Sequence, residues 1–340
     1  MLFQLDHVTK DYRGHRALDD LVVDVAPGAI GLLGPNGAGK STLIKALLGL
    51  VRVTRGNATI LGHDVRRAKH RVRESVGYMP EDDCLIPGLK GVETVSYAAE
   101  LGGIPYRHAL RRAHEILDYV GISEERYREV QTYSTGMKQK IKLALALVHS
   151  PQMVFLDEPT SGLDPQGRDK MLRMIRNLHE ERGISIVVST HILSDIEAAC
   201  GSVMILGRGK LLLHDQLANL QRTQGRYKVR FAEGANENAG AFANSLDAAG
   251  LKVGRLQHDT LMLHDCGEHA PAELFRLAAE RGVSIRSLES SKNTLEQIFL
   301  QAVDAQAAHD RATGRWTPTP GLAEEVAYVD ETPASAPEAN

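Results

Sequence analysis

Nine consecutive residues constrain this chain more than any other feature: Gly34-Pro35-Asn36-Gly37-Ala38-Gly39-Lys40-Ser41-Thr42. They follow the apolar run AIGLL at 29–33 and precede a stretch of helical character from Ser41 to about Leu50. A buried strand that ends in a glycine-rich turn and opens a helix lets successive backbone N–H groups curl around a phosphate. The helix N-terminus adds the positive end of its dipole. In this pattern Lys40 reaches the β- and γ-phosphates, Ser41 sets its hydroxyl on Mg2+, and Thr42 donates to the α-phosphate. The spacing therefore predicts a nucleotide cradle at the edge of a parallel sheet.

The rest of the chain supplies that sheet. Short apolar runs recur at 76–79, 153–156, 184–188 and 203–206, separated by helical stretches, and an alternating segment at Phe3, Leu5 and His7 precedes VVDV at 22–25. This alternation is the α/β pattern. The run Met153-Val-Phe-Leu ends in two adjacent acids, Asp157 and Glu158. Parallel strands point their C-terminal ends into the ligand crevice, so both acids are expected near the γ-phosphate. Neighbouring residues on extended chain face opposite ways. Asp157 is thus expected to hold the metal through its water shell, and Glu158 to polarise the attacking water. His191 closes the apolar strand 184–190 and is expected to donate to the γ-phosphate and orient that water.

Composition narrows the setting. Lys plus Arg number 40 against 43 Asp plus Glu, and a net charge of -3 gives no electrostatic reason to expect nucleic acid as a ligand. Cys84, Cys200 and Cys266 form neither a CxxC pair nor a metal-ligand spacing, as suits a reducing compartment. The N-terminus has no secretory pattern. The longest apolar stretches fall far short of the roughly 20 residues that span a bilayer. A soluble chain is expected, with any membrane role exercised through a partner.

Three further regions stand out. Residues from about 82 to 150 read as a helical subdomain set into an α/β body covering 1–222. Residues 226–303 alternate short strands and helices, an order that suggests a small α+β domain of ferredoxin-like topology. From Asp304 to Asn340 the pattern is lost, prolines accumulate, and after Gly321 there is no Lys or Arg, which predicts a disordered acidic tail.

Taken together these motifs resemble the ABC ATPases, a branch of the P-loop NTPases. Tyr133-Ser134-Thr135-Gly136-Met137-Lys138-Gln139 is similar to the family's signature motif, and Asp157-Glu-Pro-Thr-Ser-Gly-Leu-Asp164 to its Walker B motif plus D-loop. Val188-Ser-Thr-His191 resembles its switch-histidine segment, and Tyr12 sits where the family carries an aromatic that stacks on adenine. Two departures are visible. Glu81 stands where the Q-loop usually has Gln, and the signature has Thr135 in place of Gly and Met137-Lys138 in place of Gln-Arg. Glu81 can still bind metal or water. Together with Thr294-Leu-Glu-Gln-Ile-Phe299-Leu near the end, these departures resemble ABC-2-type export ATPases, whose membrane permease is usually a separate chain.

The resemblance implies an ATPase that uses ATP and Mg2+, with Ser41, Asp157 and Glu81 at the metal. It also implies a head-to-tail homodimer or heterodimer in which Ser134, Thr135, Gly136 and Met137 of one chain meet the γ-phosphate held by the other. The partners implied are a second ATPase subunit and transmembrane permease subunits, with the chain peripheral on the cytoplasmic face of the plasma membrane. A soluble translation ATPase, which carries two cassettes, and a DNA-repair ATPase, which has a long coiled coil before the signature, are the alternatives. The single cradle and the short interval from Thr42 to Ser134 match neither.

Overall fold

The computed structural model describes residues 1–220, 227–232, 236–257, 260–264, 269–290 and 294–312. Strands β1 (Phe3–Tyr12) and β2 (His15–Val25) open the chain. β3 (Ala29–Leu33), α1 (Lys40–Leu47), β4 (Arg55–Ile60), β5 (His63–Asp64), α2 (Lys69–Ser75) and β6 (Val76–Met79) follow. Next come α3 (Gly91–Leu101), α4 (Tyr106–Tyr119), α5 (Thr135–Leu147), β7 (Met153–Asp157), α6 (Pro165–Glu180), β8 (Ser185–Ser189), α7 (Leu193–Ala199), β9 (Ser202–Gly207), β10 (Lys210–Gln216) and α8 (Leu217–Leu220).

Six of these strands form one sheet in the order β10-β9-β3-β8-β7-β6, parallel except for the antiparallel edge strand β10. β3, β7 and β8 are buried along their whole length, which is why they read as unbroken apolar runs rather than alternating ones. A second, antiparallel sheet in the order β2-β1-β4-β5 lies beside it. Here VVDV proves to be only the end of an 11-residue strand. Its earlier half is interrupted by register shifts against β1, which blur the period-two pattern. Between β6 and β7, helices α3, α4 and α5 bury an apolar face that includes Val95, Ala113, Leu117 and Ile141.

Strands β11 (Tyr227–Phe231), β12 (Lys252–Gln257), β13 (Thr260–His264) and β14 (Ile285–Ser290) form a third, antiparallel sheet. Helices α9 (Asn236–Ala248) and α10 (Ala270–Arg281) pack Phe242, Leu246, Leu274 and Leu277 against Val229, Phe231 and Leu261 of that sheet. The chain order βαββαβ with sheet order β12-β13-β11-β14 is the ferredoxin-like arrangement.

The last helix, α11 (Leu295–Ala312), departs from expectation, because the pattern predicted to fade at Asp304 continues as helix to Ala312. Leu295 is fully buried in the core of the six-stranded sheet, and Ile298, Phe299 and Ala302 pack beside it. Spacings of three and four place them on one helical face. Beyond them the alanine-rich QAAHDRA extends the helix on propensity. The junction between the 1–222 and 226–303 units falls at 221–226, outside the described residues, as do the tail beyond 312 and Cys266. Burial pushes the Cys200 thiol up to about 12, so it packs as an unreactive apolar group. Among the described residues no helix is long and apolar enough to cross a membrane.

Candidate functional site

The C-terminal ends of β3, β6, β7 and β8 meet at one edge of the main sheet. Parallel register sets Leu32 beside Ser189, Met79 beside Leu156, and Asp157 beside Ser189. The segments that leave these ends therefore converge, and a cavity of about 460 Å³ lies among them. Asn36, Gly37, Ala38, Gly39, Lys40, Ser41 and Thr42 line it from β3 and α1. Glu81 enters after β6, Asp157 and Glu158 from β7, His191 after β8, and Tyr12 with His15 and Ala17 from β1 and β2. Sequence reasoning missed His15 and Ala17, which only the pairing of β1 with β2 carries to the cradle.

The cradle's glycines answer to geometry. Gly39 has φ 104°, and a Cβ there would stand 2.5 Å from the Ala17 carbonyl. At Gly34 a Cβ would stand 2.5 Å from the Leu206 carbonyl. Either side chain would push the loop off its supporting strands. Lys40 is buried and donates to the Gly34 carbonyl at 2.5 Å and the Pro35 carbonyl at 3.3 Å. Burial pulls its pKa down, against the upward pull of Glu158, Asp157 and Glu81. Its ammonium is thus held inside the loop, at the cavity wall.

Glu158 is buried at the end of β7 with φ 48°, a left-handed backbone conformation that turns its side chain toward β8. The Glu158 N–H donates to the Ser189 carbonyl at 2.8 Å. Its carboxylate accepts from Thr190 Oγ1 at 3.1 Å on Oε2. On Oε1 it accepts from the His191 N–H at 3.1 Å and from His191 Nδ1 at 2.9 Å. A carboxylate offers about four lone-pair sites. Three are taken, so the open one lies on Oε2. An ionised carboxylate can only accept, so Nδ1 is the donor in its contact with His191.

Asp157 is 3% exposed and faces the cavity, and no protein donor reaches its carboxylate among the described residues. A buried acid left without a donor suits a hard cation, and with the Ser41 hydroxyl and Glu81 the donor set is all oxygen, as Mg2+ requires. Tyr12 is half exposed at the cavity, and Lys10 Nζ stands 4.5 Å from its ring centroid.

Ser134, Thr135, Gly136, Met137 and Asp164 do not line this cavity. Ser134 is the N-cap of α5, its hydroxyl accepting from the Met137 N–H at 3.3 Å, and Asp164 is the N-cap of α6, accepting from the Gly167 N–H at 3.2 Å. The two caps adjoin. Gln139 Nε2 donates to the Ser161 carbonyl at 3.1 Å, and a Cβ on Gly162 would stand 3.0 Å from Thr135. Ser134, Thr135, Ser161, Gly162 and Asp164 are all exposed. The result is an exposed helix terminus outside the cavity.

Fold and cavity together define a nucleotide-binding protein of the P-loop class. The family described as ABC transporter matches residues 18–161. The bacitracin transport ATP-binding protein BcrA of Bacillus licheniformis is 32% identical over 87% of this chain and 95% of its own length. The daunorubicin/doxorubicin resistance ATP-binding protein DrrA of Streptomyces peucetius is 31% identical over 90% and 93%. Among solved structures, an ATP-binding subunit of an ABC transporter aligns with TM-score 0.59 at 30% identity, covering 66% of this chain and 94% of that one. A dimeric post-hydrolysis state of the ATP-binding cassette MJ0796, bound to ADP and Pi, aligns with TM-score 0.59 at 24% identity over 63% and 98%, which bears on fold alone. The chain belongs to the ABC transporter ATP-binding family and is an ATPase.

Proposed function

We propose that this chain drives an ABC-2-type exporter. It binds Mg·ATP in the cavity, pairs head-to-tail with a second copy of itself, and works from the cytoplasmic face on a separate permease. The observation that carries this reading is the split site: cradle, acids and His191 share one cavity, whereas the signature serine caps an exposed helix outside it. A cavity missing its last anion donor is completed by a second chain. Both parts are intact here, so two identical copies make two complete sites. The relatives named for bacitracin transport and for daunorubicin resistance support the export branch.

The residues then take definite roles. Lys40 exchanges the carbonyls of Gly34 and Pro35 for β- and γ-phosphate oxygens, and the backbone N–H groups of the loop follow. Ser41, Asp157 and Glu81 would hold the metal, which neutralises charge on the phosphates when bound. Glu158 receives the water's proton on Oε2, the oxygen with an open lone pair. Thr190 and His191 hold that carboxylate in place. His191 can donate to the γ-phosphate only as imidazolium, or after releasing Glu158. Tyr12 stacks the base on the face opposite Lys10.

The domain division belongs to the same proposal: a cassette over 1–222 with helices inserted at 82–150, and an accessory α+β unit over 226–303. The test uses Glu158→Gln, mixed with Mg·ATP and followed by light scattering. The mass should double and revert on nucleotide removal, whereas a variant that stays monomeric contradicts the pairing.

A further inference from the structure

A buried cation outside the cavity has no place in the roles above. Lys142 lies two turns into α5 and is only 4% exposed, yet it carries an ammonium group. Its hydrogen bond goes to the backbone carbonyl of Glu81, at 2.7 Å. One turn earlier on the same face, Lys138 pairs with Asp83 at 3.0 Å. Two rungs thus join the signature helix to the loop after β6, whose next contribution is the Glu81 side chain in the phosphate cavity.

An ammonium is a costly way to fill a buried position, and an apolar side chain of similar length would pack there without the desolvation penalty. What the lysine provides is a directional bond to one carbonyl. Burial draws its pKa below the usual lysine range, against the upward pull of Cys84 and of the loop's acids Asp83, Asp82 and Glu81. One turn before Lys142, Gln139 Nε2 holds the Ser161 carbonyl, and Gln139 Oε1 is buried with no partner among the described residues. The helix therefore holds two main-chain carbonyls, one belonging to the loop after β6 and one to the segment that follows Glu158.

We infer that Lys142 is a positioning residue. It latches Glu81 to α5, so that phosphates bound in a chain's own cavity move the Ser134 end of the helix offered to the other copy. A helix is stiff along its axis at about 1.5 Å per residue, so Lys142 and Ser134 move as one body roughly 12 Å long. Displacement of Glu81 by phosphate and cation becomes displacement of Ser134. Filling one site thereby prepares the neighbouring one, a coupling between sites rather than a contact with substrate. The inference rests on the two-copy reading above.

The test compares the full-length chain with Lys142→Met and Lys142→Arg. The measurements are fluorescent-ATP affinity, thermal midpoint, and kcat and KM for ATP hydrolysis. Methionine fills the volume without the bond, and arginine restores a donor. The expected result for Lys142→Met is an unchanged midpoint, ATP affinity within about twofold, and kcat lowered about tenfold, the size of a typical site–site coupling. Lys142→Arg should recover at least about half of kcat, since only the donor is needed. Unchanged kcat in Lys142→Met overturns the latch. So does a loss of kcat that tracks a lowered midpoint and is not recovered by arginine. Glu158→Gln with Lys142 intact, run alongside, keeps the two readings apart: its failure to form an ATP-dependent dimer counts against the two-copy reading, whereas a dimer there with kcat unchanged in Lys142→Met counts against the latch alone.

Discussion

Glu158 accepts three hydrogen bonds and keeps one lone pair open. Replacing it with Gln preserves volume and removes the proton acceptor, so kcat should fall by about 10²–10⁴ while ATP binding persists. Steady-state hydrolysis and a binding titration decide this together, and rapid turnover by Glu158→Gln would contradict the base assignment. Lys40→Ala removes the loop's buried cation. Charged hydrogen bonds contribute about 1.5–3 kcal/mol, which corresponds to roughly 10- to 100-fold weaker ATP affinity.

Most of these residues were legible in the sequence because each sits at a strand end next to a glycine-rich or acidic motif. Thr190, Lys142 and the group Thr160, Arg168 and Asp195 were not. Asp195 is buried and accepts from Thr160 Oγ1 at 2.5 Å and Arg168 Nε at 2.6 Å, fastening α7 to the segment after Glu158. Its partners lie 35 and 27 residues away in the chain. No local pattern announces a contact made only by folding.

At the scale of elements, helix N-termini do two jobs that one substitution can separate. Ser134 caps α5 and, in the proposed dimer, is the residue offered to the other chain's γ-phosphate. Asp caps a helix about as well as Ser. It also brings a negative charge toward an anion. Ser134→Asp should therefore keep the thermal midpoint within about 2 °C, a cap difference of a few tenths of a kcal/mol. Hydrolysis should nonetheless be abolished. If Ser134→Asp lowers stability and activity in parallel, the serine acts only as a cap. The sheet itself was readable from unbroken apolar runs, whereas β1 and β2 were harder to see. Their register shifts hide the alternation, and their partners are chosen by tertiary pairing.

At the scale of the whole molecule, α11 returns to the main core after the ferredoxin-like unit and buries Leu295 there. Leu295→Ala should cost about 2–5 kcal/mol and lower the thermal midpoint of the whole chain. A midpoint change confined to a separate, minor transition would show that α11 does not belong to the main core. The pH limb of stability involves His149, whose half-buried ring lies against the Val76 carbonyl at 3.3 Å. Burial lowers its pKa, so the folded chain holds the neutral ring. The unfolded chain takes up the proton first as pH falls below about 6.5, and the stability present above that value is lost progressively toward the folded-state pKa. Chemical unfolding at pH 7.5 and 5.5 should show that loss, reduced in His149→Gln.

The central claim is that a cradle in one copy works only with Ser134 from the other, and complementation measures it. Lys40→Ala keeps its signature and loses its cradle, and Ser134→Asp does the reverse. Each should be inactive alone. Mixed in equal amounts, half the dimers combine the two variants and each carries one intact site, so hydrolysis should return to about a quarter of the wild-type rate. A mixture that stays as inactive as its components, or a Ser134→Asp chain that hydrolyses ATP by itself, would contradict the account.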